Sequence, residues 1–592
     1  MAIDLTSRPR AGAGPLAPTR AWSTAAIAAI TALAAVLRFA DFSQVPSNSF
    51  YDAAVRSMGL SWHNFFFGAF EPAAQVSIDK TPVDLWLQVA STKLFGFNAV
   101  AVRLPEAVAG VLAVALIYDL VRRLFGRTAG LGAAAALALL PISIVTAHSD
   151  TMDSVMMALD VLAAWLVVVG AQKRNPRFIV GAGAVLGLAF NVKIFEGLVV
   201  LPALGLLAWL AFDVPLRRRV RAIGAGLVAF VAVSLSWVTA ASLAPGTHPW
   251  PIGSTNGSVW NVVFVFNGLD RLRGHASAAA LRLDPPGPLR FLSTGPVDYA
   301  TMVGATLVAA VVFGGLALAL ALASRSGRLG GRDRLAVAGA VFFGVWLVVG
   351  VGMLSVAQRM QPRYLESVTP AIAALVGAGV AWLAARADRR RDCALALAAG
   401  AAVVAVAGVA LVRPPAWATV AALAGACACA ALAAAPRRTA AALAACALVA
   451  ALSVPLASSV SVARAHRSDA GLALTQPLAL STFLISHQGH ARYEVASASV
   501  FRSSPLIVRD GRPILMLTSY SGRPLLSAAR LAQLVRAGDV RYVLLGKGDC
   551  CAPVLRWAHA HARDISKASG VGPLGTLYEL SAGRGPAAPA AP

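Results

Sequence analysis

The segment Ser77-Ile78-Asp79-Lys80-Thr81-Pro82 ends a polar stretch that separates the first two apolar runs of this chain. An acidic residue beside a lysine at the edge of a membrane is costly unless an anionic ligand or a reaction uses the two charges. The surrounding chain is very apolar, because 58% of its 592 residues are hydrophobic and only 13% are charged. This composition excludes one soluble globular domain and predicts a mainly α-helical protein that spans a membrane many times.

The basic residues indicate the topology of these spans. The formal net charge is +24, which in a soluble protein would favour a nucleic-acid partner. Here the basic residues form clusters between apolar runs, near residues 8–20, 122–127, 173–177, 217–221, 325–334, 386–391 and 437–438. Such clusters mark cytoplasmic turns, and a hairpin of two spans fits between consecutive clusters. We therefore expect about thirteen transmembrane helices, a cytoplasmic N-terminus, an extracytoplasmic C-terminal region and no nucleic acid.

Composition also divides the chain into parts. Residues 1–20 and the Pro/Ala-rich tail at 584–592 are predicted to be disordered. Residues 21–463 are predicted to form the transmembrane domain, with a first outer loop at about residues 41–97 that carries the catalytic groups. Residues 464–583 have a mixed soluble pattern, which predicts a small extracytoplasmic α/β domain.

Within the predicted C-terminal domain, apolar runs alternate with a helical pattern. Residues 504–508 and 540–545 are short apolar runs that predict strands. Residues at about 527–536 have helical periodicity. The domain carries no nucleotide-binding fingerprint, so its sequence alone indicates no cofactor.

The predicted outer segments collect both acidic and basic side chains. They are Asp52, Asp79 and Lys80 in the first outer loop, Asp150 and Asp153 at the second outer turn, Lys193 and Glu196 at the third, and Arg363 at a later one. Carboxylates can act as general bases, and Lys and Arg side chains can hold phosphate. The inner turns are mainly plain Arg clusters, so the chemistry is predicted to face outward.

Short stretches distributed over nearly the whole chain carry a family resemblance. In order, they are Asn48-Ser-Phe-Tyr51, Ile78-Asp-Lys-Thr-Pro-Val-Asp-Leu-Trp-Leu-Gln88, Arg103-Leu-Pro105, Thr151-Met-Asp-Ser154, Phe190-Asn-Val-Lys193, Gly253-Ser-Thr-Asn-Gly-Ser258, Phe266-Asn-Gly-Leu269, Ser519-Tyr-Ser-Gly522 and Val540-Arg-Tyr542. Together they resemble glycosyltransferase family 39, in its bacterial branch of aminoarabinose-transferase-like and YkcB-like proteins.

The resemblance implies a GT-C membrane fold, a lipid-phosphate-linked sugar as donor, and transfer on the outer face of the membrane. The acidic-Lys-Pro-Pro motif of the related aminoarabinose transferases is Asp79-Lys80-Thr81-Pro82 here, with Thr81 in place of the first proline. The resemblance places Lys80 near the lipid phosphate and Asp79 near a metal or the donor head group. Residues within or beside the matching stretches are assigned to substrate binding, namely Asp150, Asp153, Asn256 and Asn267.

The transfer reaction itself needs few groups. Displacing a sugar from a polyprenyl phosphate passes through an oxocarbenium-like state, in which a carboxylate deprotonates the acceptor hydroxyl and cations stabilise the departing phosphate. Asp52 is the first candidate for the base and Asp79 the second. Lys80, Lys193 and Arg363 are the candidates for holding the donor phosphate.

Each candidate also has a purely structural interpretation. Asp52 can be a solvated loop acid, Lys80 a snorkelling interface lysine, Asp150 and Asp153 caps of the following helix, and Lys193 the partner of Glu196. The sequence leaves these alternatives open. It also leaves open whether a divalent metal takes part.

The predicted function is therefore that of an inverting glycosyltransferase of the plasma membrane. It transfers a monosaccharide from a polyprenyl-phosphate donor to an envelope acceptor, which is a glycan, a lipid or a protein. The alternative is a polytopic transporter or flippase of lipid-linked sugars, which would favour paired repeats with interrupted helices. No convincing internal repeat is visible in the sequence.

Overall fold

The computed structural model describes residues 20–581, except 271–284, 296, 324–330, 359, 437, 470–477, 547 and 573–574. Residues 1–19 and the tail at 584–592 lie outside the described residues. The predicted disorder of these two segments therefore stays a prediction. The described part is mainly helical. Its α-helices are α1 (Arg20–Phe39), α2 (Ser49–Met58), α3 (Trp62–Phe67), α4 (Val83–Phe95), α5 (Ala99–Phe125), α6 (Arg127–Ala138), α7 (Pro141–Ala147), α8 (Asp153–Gln172), α9 (Arg177–Lys193), α10 (Leu201–Ala211), α11 (Leu216–Leu243), α12 (Ala305–Ala323), α13 (Gly331–Val356), α14 (Thr369–Ala384), α15 (Arg391–Val412), α16 (Ala416–Ala434), α17 (Ala440–Arg464), α18 (Leu478–His487), α19 (Val500–Asp510), α20 (Ala528–Arg536) and α21 (Pro553–Ala560).

The helices make this a multi-pass membrane protein. Within the described ranges, ten helices are long and apolar enough to cross a membrane, and the pair α6 and α7, bent by 60°, adds an eleventh if it is one span. Helix α9, with 17 residues, and helix α10, with 11, are shorter and pack among these spans. The described residues therefore contain ten or eleven candidate spans, whereas the Arg clusters predicted about thirteen.

Helices α9 and α11 pack with their backbones in close approach. A Cβ atom added to Gly183 would lie 2.0 Å from the carbonyl oxygen of Gly226, so only glycine fits at this crossing. Small residues at such a crossing let two membrane helices gain van der Waals contact. The crossing fixes the position of α9, whose last residue is Lys193.

The first outer loop is folded into helices α2, α3 and α4. Helix α2 begins after Asn48, whose side-chain oxygen accepts a hydrogen bond from the backbone N–H of Phe50 at 3.2 Å. Between α3 and α4, strand β1 (Val76–Ser77) pairs in parallel with β2 (Trp250–Pro251). This pairing places the Asp79-Lys80 motif directly after an ordered strand.

The C-terminal region contains a five-stranded mixed sheet. Its strands are β3 (Val495–Ser497), β4 (Ile514–Met516), β5 (Tyr542–Leu544), β6 (Ala562–Asp564) and β7 (Leu577–Leu580), in the order β4-β3-β5-β7-β6. Strand β5 and helix α20 lie where a strand and a helix were predicted. The predicted strand at 504–508 is wrong, because these residues lie inside helix α19.

The C-terminal sheet is tied to the first outer loop. The Gln75 side chain donates through Nε2 to the carbonyl of Met516 and accepts through Oε1 from its N–H, both at 2.9 Å. Arg56 of α2 donates to the carbonyls of Val508 and Arg509. The loop that carries the Asp79-Lys80 motif and the C-terminal sheet therefore form one packed layer.

Candidate active site

The Asp79-Lys80 motif is buried and held by neighbouring segments. Lys80 Nζ lies 3.1 Å from Asp79 Oδ1. The amide nitrogen of Asn267 donates to the backbone carbonyl of Asp79 at 2.5 Å, and the hydroxyl of Thr81 donates to the carbonyl of Asn191 at 2.5 Å. Asn191 is two residues before the end of α9. The motif is therefore fixed against α9 and against the segment around Asn267.

Three cations from distant parts of the chain line one pocket. The lining of this cation pocket consists of Lys80, Lys193, Ile194, Glu196, Asn267, Arg363 and Tyr364. Lys80 follows β1, Lys193 ends α9, and Arg363 precedes α14. The structure thus brings together the three residues that the sequence assigned to the donor phosphate.

Each cation of the pocket is also oriented by a carboxylate beside it. Lys193 Nζ lies 2.7 Å from Asp153 Oδ2, and Arg363 Nη1 lies 2.6 Å from Asp469 Oδ2. Lys193 also donates to the carbonyl of Thr151 at 2.8 Å. The ion partner of Lys193 is therefore Asp153, and the alternative pairing with Glu196 is wrong.

The backbone is strained where α9 opens into the pocket. Ile194, which directly follows Lys193 and lines the pocket, has a φ of 32°. A β-branched residue adopts positive φ only at a cost of order 1–3 kcal/mol. Such strain persists where the surrounding contacts impose it, and it is concentrated at binding and catalytic sites.

Tyr51 connects α2 with the cation pocket. Lys80 Nζ lies 5.4 Å from the centre of the Tyr51 ring, a cation–π arrangement. Burial raises the pKa of the Tyr51 hydroxyl, which therefore remains a neutral hydrogen-bond donor at physiological pH. The next residue, Asp52, points to a different set of neighbours.

Asp52 lies beside Asp150 and Arg103 and is not among the residues that line the cation pocket. Both carboxyl groups are buried. Burial raises the pKa of Asp52 to about 6, against the opposing effects of Ser47 and Arg103. Burial, and then the charge of Asp52, raise the pKa of Asp150 well above its ordinary value. Asp52 is thus not a solvated loop acid, and its pKa lies close to the pH at which a general base operates well.

A second carboxylate group supports the start of α8. Glu106 Oε2 accepts from the N–H groups of Ser154 and Val155 at 2.8 and 3.3 Å, so it caps this helix from α5. The alternative in which Asp150 and Asp153 cap this helix is therefore wrong. The buried carboxyl of Asp84 lies beside Glu106, and burial raises the pKa of Asp84 to about 6.

The two asparagines assigned to substrate binding have different surroundings. Asn267 lines the cation pocket and holds the Asp79 backbone. Asn256 Oδ1 instead accepts from the hydroxyl of Ser254 at 3.1 Å and from the N–H of Ser258 at 3.0 Å. Asn256 therefore organises the turn after β2 and is not among the residues that line the pocket.

Several residues of the site were missed by the sequence analysis. They are Tyr51, Arg103, Glu106, Tyr364 and Asp469. Glu106 is an acidic residue isolated within an apolar helix, and such a residue predicts a buried functional group. The sequence alone could therefore have identified Glu106. In the part of the chain that the structure describes, no group of three or more His, Cys, Asp or Glu side chains is arranged to hold a metal ion.

Two segments of the chain match known protein families. Residues 79–237 match the family "Dolichyl-phosphate-mannose-protein mannosyltransferase", and residues 480–561 match "Putative mannosyltransferase YkcB-like, C-terminal". The first segment begins at Asp79 and contains Lys80, Asp150, Asp153 and Lys193. The second contains most of the C-terminal sheet and helices α19 and α20.

Two curated proteins of Bacillus subtilis are similar to part of the chain. The mannosyltransferase-like protein YycA is 33% identical over 44% of this chain and 38% of its own length. The YkcB protein is 34% identical over 39% of this chain and 32% of its own length. The matched region thus spans about a third of the length of each relative. Both names give mannosyltransferase activity only as an inference.

Solved structures share the whole fold. ArnT from Cupriavidus metallidurans, bound to undecaprenyl phosphate, aligns over 95% of this chain and 99% of its own with a TM-score of 0.58 and 17% identity. An oligosaccharyltransferase from Archaeoglobus fulgidus aligns over 96% and 75% with a TM-score of 0.53 and 13% identity. At these identities the alignments show the fold. The chain thus has the fold of these membrane proteins, and two of its segments, residues 79–237 and 480–561, resemble mannosyltransferase families.

Proposed function

We propose that this protein transfers a monosaccharide from a polyprenyl-phosphate donor to an acceptor of the cell envelope. The observation that carries the proposal is the pocket in which Lys80, Lys193 and Arg363 meet. Three cations in one buried site suit an anionic group with several oxygens, such as a phosphate. The pocket belongs to a multi-pass membrane protein, so a phosphate attached to a lipid is the ligand that fits both features.

The related structures support a lipid-phosphate donor. ArnT was crystallised with undecaprenyl phosphate, and the archaeal oligosaccharyltransferase was solved with dolichol-phosphate and an inhibitory peptide. Both ligands combine a long polyprenyl chain with a phosphate. The names of the matched families make mannose the first donor sugar to test.

The chemistry follows from the charges of the site. The acceptor oxygen forms a bond to the anomeric carbon while the bond from that carbon to the phosphate oxygen breaks, which inverts the anomeric configuration. The phosphate gains a negative charge in this step, so Lys80, Lys193 and Arg363 stabilise the transition state more than the ground state. The acceptor hydroxyl loses its proton to a carboxylate, with Asp52 as first candidate and Asp79 as second.

The remaining assignments complete the proposal. Asp153 orients Lys193, Asp150 lies against Asp52, and Asn267 supports the Asp79 backbone. The N-terminus is proposed to be cytoplasmic and the C-terminal domain extracytoplasmic, because the Arg clusters mark the inner turns. The reaction then takes place on the outer face of the plasma membrane.

Reconstituted protein tests this function directly. Purified protein in lipid vesicles, given radiolabelled polyprenyl-phosphate mannose and an envelope extract, is expected to release polyprenyl phosphate and a labelled product. A protein with Lys80, Lys193 and Arg363 all replaced by alanine serves as the inactive control. Movement of intact donor across the vesicle membrane without cleavage would instead identify a transporter or flippase of lipid-linked sugars.

A further inference from the structure

Three family-like stretches and helix α19 pack aromatic rings against one another. The ring of Tyr520, from the stretch Ser519-Tyr-Ser-Gly522, lies 5.8 Å from Phe501 at an interplanar angle of 14°. It lies 5.9 Å from Phe266 at 26°. Phe50 of α2 lies 6.1 Å from both Phe501 and Tyr520. We call Phe501, Tyr520 and Phe266, with Phe50 at their side, the aromatic strip.

The aromatic strip is held in place by its own local contacts. The N–H of Tyr520 donates to the carbonyl of Ile252 at 3.2 Å, and Arg523 donates to the carbonyl of Thr255. A Cβ atom on Gly253 would lie 2.6 Å from the Phe266 ring, so glycine is required for this ring to pack. The C-terminal domain and the loop after β2 thus build the aromatic strip together.

The aromatic strip leads from the surface to the cation pocket. Phe501 is 54% exposed, whereas Lys80 at the other end is 8% exposed. Phe50 contacts Tyr51 with ring centres 5.1 Å apart, and Tyr51 lies against Lys80. Phe266 directly precedes Asn267, which lines the pocket. The exposed end of the aromatic strip therefore belongs to the C-terminal domain and its inner end to the site.

We infer that the aromatic strip binds a pyranose ring of a carbohydrate acceptor. The C–H face of a pyranose is apolar and matches the face of an aromatic ring, while its hydroxyls need polar groups at the rim. The exposed hydroxyl of Ser521, held by a hydrogen bond of 3.1 Å to the buried hydroxyl of Ser519, lies next to Tyr520 and supplies such a group. This inference rests on the proposed function, and it narrows the acceptor to a glycan.

The position of the aromatic strip favours the acceptor over the donor sugar. The donor is a lipid, so it reaches the buried cations from the membrane, and its sugar is bonded directly to the phosphate held there. An acceptor glycan instead arrives from the aqueous side. It meets the exposed Phe501 first, and the contacts of Phe501 with Phe50 and of Phe50 with Tyr51 continue from there toward the pocket.

Direct binding of a defined oligosaccharide tests the inference. The probe is linear α-mannotriose, and its affinity for the purified full chain in detergent is measured by saturation-transfer NMR. Phe501→Ala and Phe501→Leu are each expected to weaken binding about tenfold, because leucine keeps the apolar character but not the ring face. Trp62→Ala is the matched control, since Trp62 is an aromatic residue 84% exposed in the first outer loop and outside the aromatic strip. It is expected to bind mannotriose as the wild type does.

Three other results would overturn the inference. The first is equal binding of mannotriose by the wild type and both Phe501 variants. The second is a Phe501-dependent affinity for a serine-containing hexapeptide but not for mannotriose, which would make the acceptor a polypeptide. The third is a loss of affinity for polyprenyl-phosphate mannose in Phe501→Ala, which would assign the ring to the donor.

The proposed function fails by a different observation. If the wild type binds mannotriose through Phe501 but never releases polyprenyl phosphate from the donor, the transferase function is wrong, and with it the role of the aromatic strip as an acceptor site. If the wild type releases polyprenyl phosphate and the Phe501 variants bind mannotriose normally, only the inference about the aromatic strip is wrong.

Discussion

Thr81 shows how one side chain substitutes for another in positioning the site. The family resemblance predicts a proline here, which would restrict the backbone by its ring. Thr81 instead donates its hydroxyl to the carbonyl of Asn191. This hydrogen bond joins the Asp79-Lys80 motif to the end of α9, two residues before Lys193. This hydrogen bond thus fixes Lys80 and Lys193 relative to each other.

Replacing Lys80 by alanine removes one cation from the pocket. We expect the donor to bind more weakly by about 1.5–3 kcal/mol, the range for hydrogen bonds to charged groups. The Kd for polyprenyl-phosphate mannose, measured on purified protein, checks this expectation. Lys80→Arg is the control, because it keeps the charge beside Asp79 and should recover part of the affinity. An unchanged Kd in Lys80→Ala would show that Lys80 does not contact the donor phosphate.

Asp52 and Asp79 are separated by their amide variants. Asp52→Asn keeps the shape of the side chain but removes the base, so turnover should fall by on the order of a hundredfold or more. The donor Kd should stay nearly unchanged, because Asp52 does not line the pocket and lies beside Asp150. Turnover and Kd are measured on the same preparations of Asp52→Asn and Asp79→Asn. Normal turnover in Asp52→Asn together with none in Asp79→Asn would move the base to Asp79.

The pH dependence gives a second test of Asp52. A general base works in its deprotonated form, and burial raises the pKa of Asp52 to about 6. Because this pKa is raised, the protonated and inactive form persists at pH 5, where an ordinary aspartate is already ionised. We expect kcat/KM to increase as the pH rises through about 6 and then to level off. A flat profile between pH 5 and 7 in the wild type would contradict the assignment.

The sequence identified site residues whose charge is unusual beside a membrane. It missed residues whose role depends on contacts that form only in the folded protein. Lys80, Lys193 and Arg363 stood out as cations at predicted outer turns. Tyr51 did not, because a tyrosine near a membrane interface is ordinary until its ring is found beside Lys80. The cap of α8 could not be predicted either, because Glu106 accepts a hydrogen bond from the N–H group of Ser154, 48 residues further along the chain.

At the scale of elements, the wrong strand prediction has a physical cause. Residues 504–508 include the apolar run Leu506-Ile507-Val508, and a short run of this kind fits a buried strand or a buried helix. In α19 the buried positions are Val500 and the continuous run 503–507, which contains Ser503 and Ser504. Because two of these buried positions are serines, the pattern of apolar residues alone did not distinguish a helix from a strand.

The crossing of α9 and α11 makes a prediction about glycine. Gly183→Ala places a Cβ 2.0 Å from the carbonyl oxygen of Gly226, so the two helices must separate. Overpacking of this kind costs about 1–3 kcal/mol. We expect a lower Tm in detergent, and also lower turnover, because α9 carries Lys193.

Gly224→Ala in α11 is the matched control for this crossing. A Cβ atom on Gly224 meets no heavy atom within 4 Å. Alanine also favours a helix over glycine by roughly 0.5–1 kcal/mol, so the Tm of this variant should be unchanged or slightly higher. Equal Tm values for the Gly183 and Gly224 variants would show that the crossing tolerates a wider separation.

At the scale of the whole molecule, the multi-pass helical architecture was predictable from the apolar composition and from the Arg clusters between apolar runs. Helices α9 and α10 are too short to be recognised as spans by length and apolar composition. The two crossings expected between the Arg clusters on either side therefore stay a prediction. The layer formed by the first outer loop and the C-terminal sheet was not predictable, because contacts such as Gln75 with Met516 join residues 441 positions apart.

The orientation in the membrane is the last prediction, and it rests on the same Arg clusters. In a background without the six native cysteines, Ser521→Cys places an exposed thiol on the C-terminal domain and Arg218→Cys one at a predicted inner turn. An impermeant thiol reagent applied to spheroplasts should label Ser521→Cys and leave Arg218→Cys unlabelled until the membrane is permeabilised. Because the proposed reaction places the donor phosphate and the acceptor on the outer face, the reverse pattern would overturn both the topology and the proposed reaction.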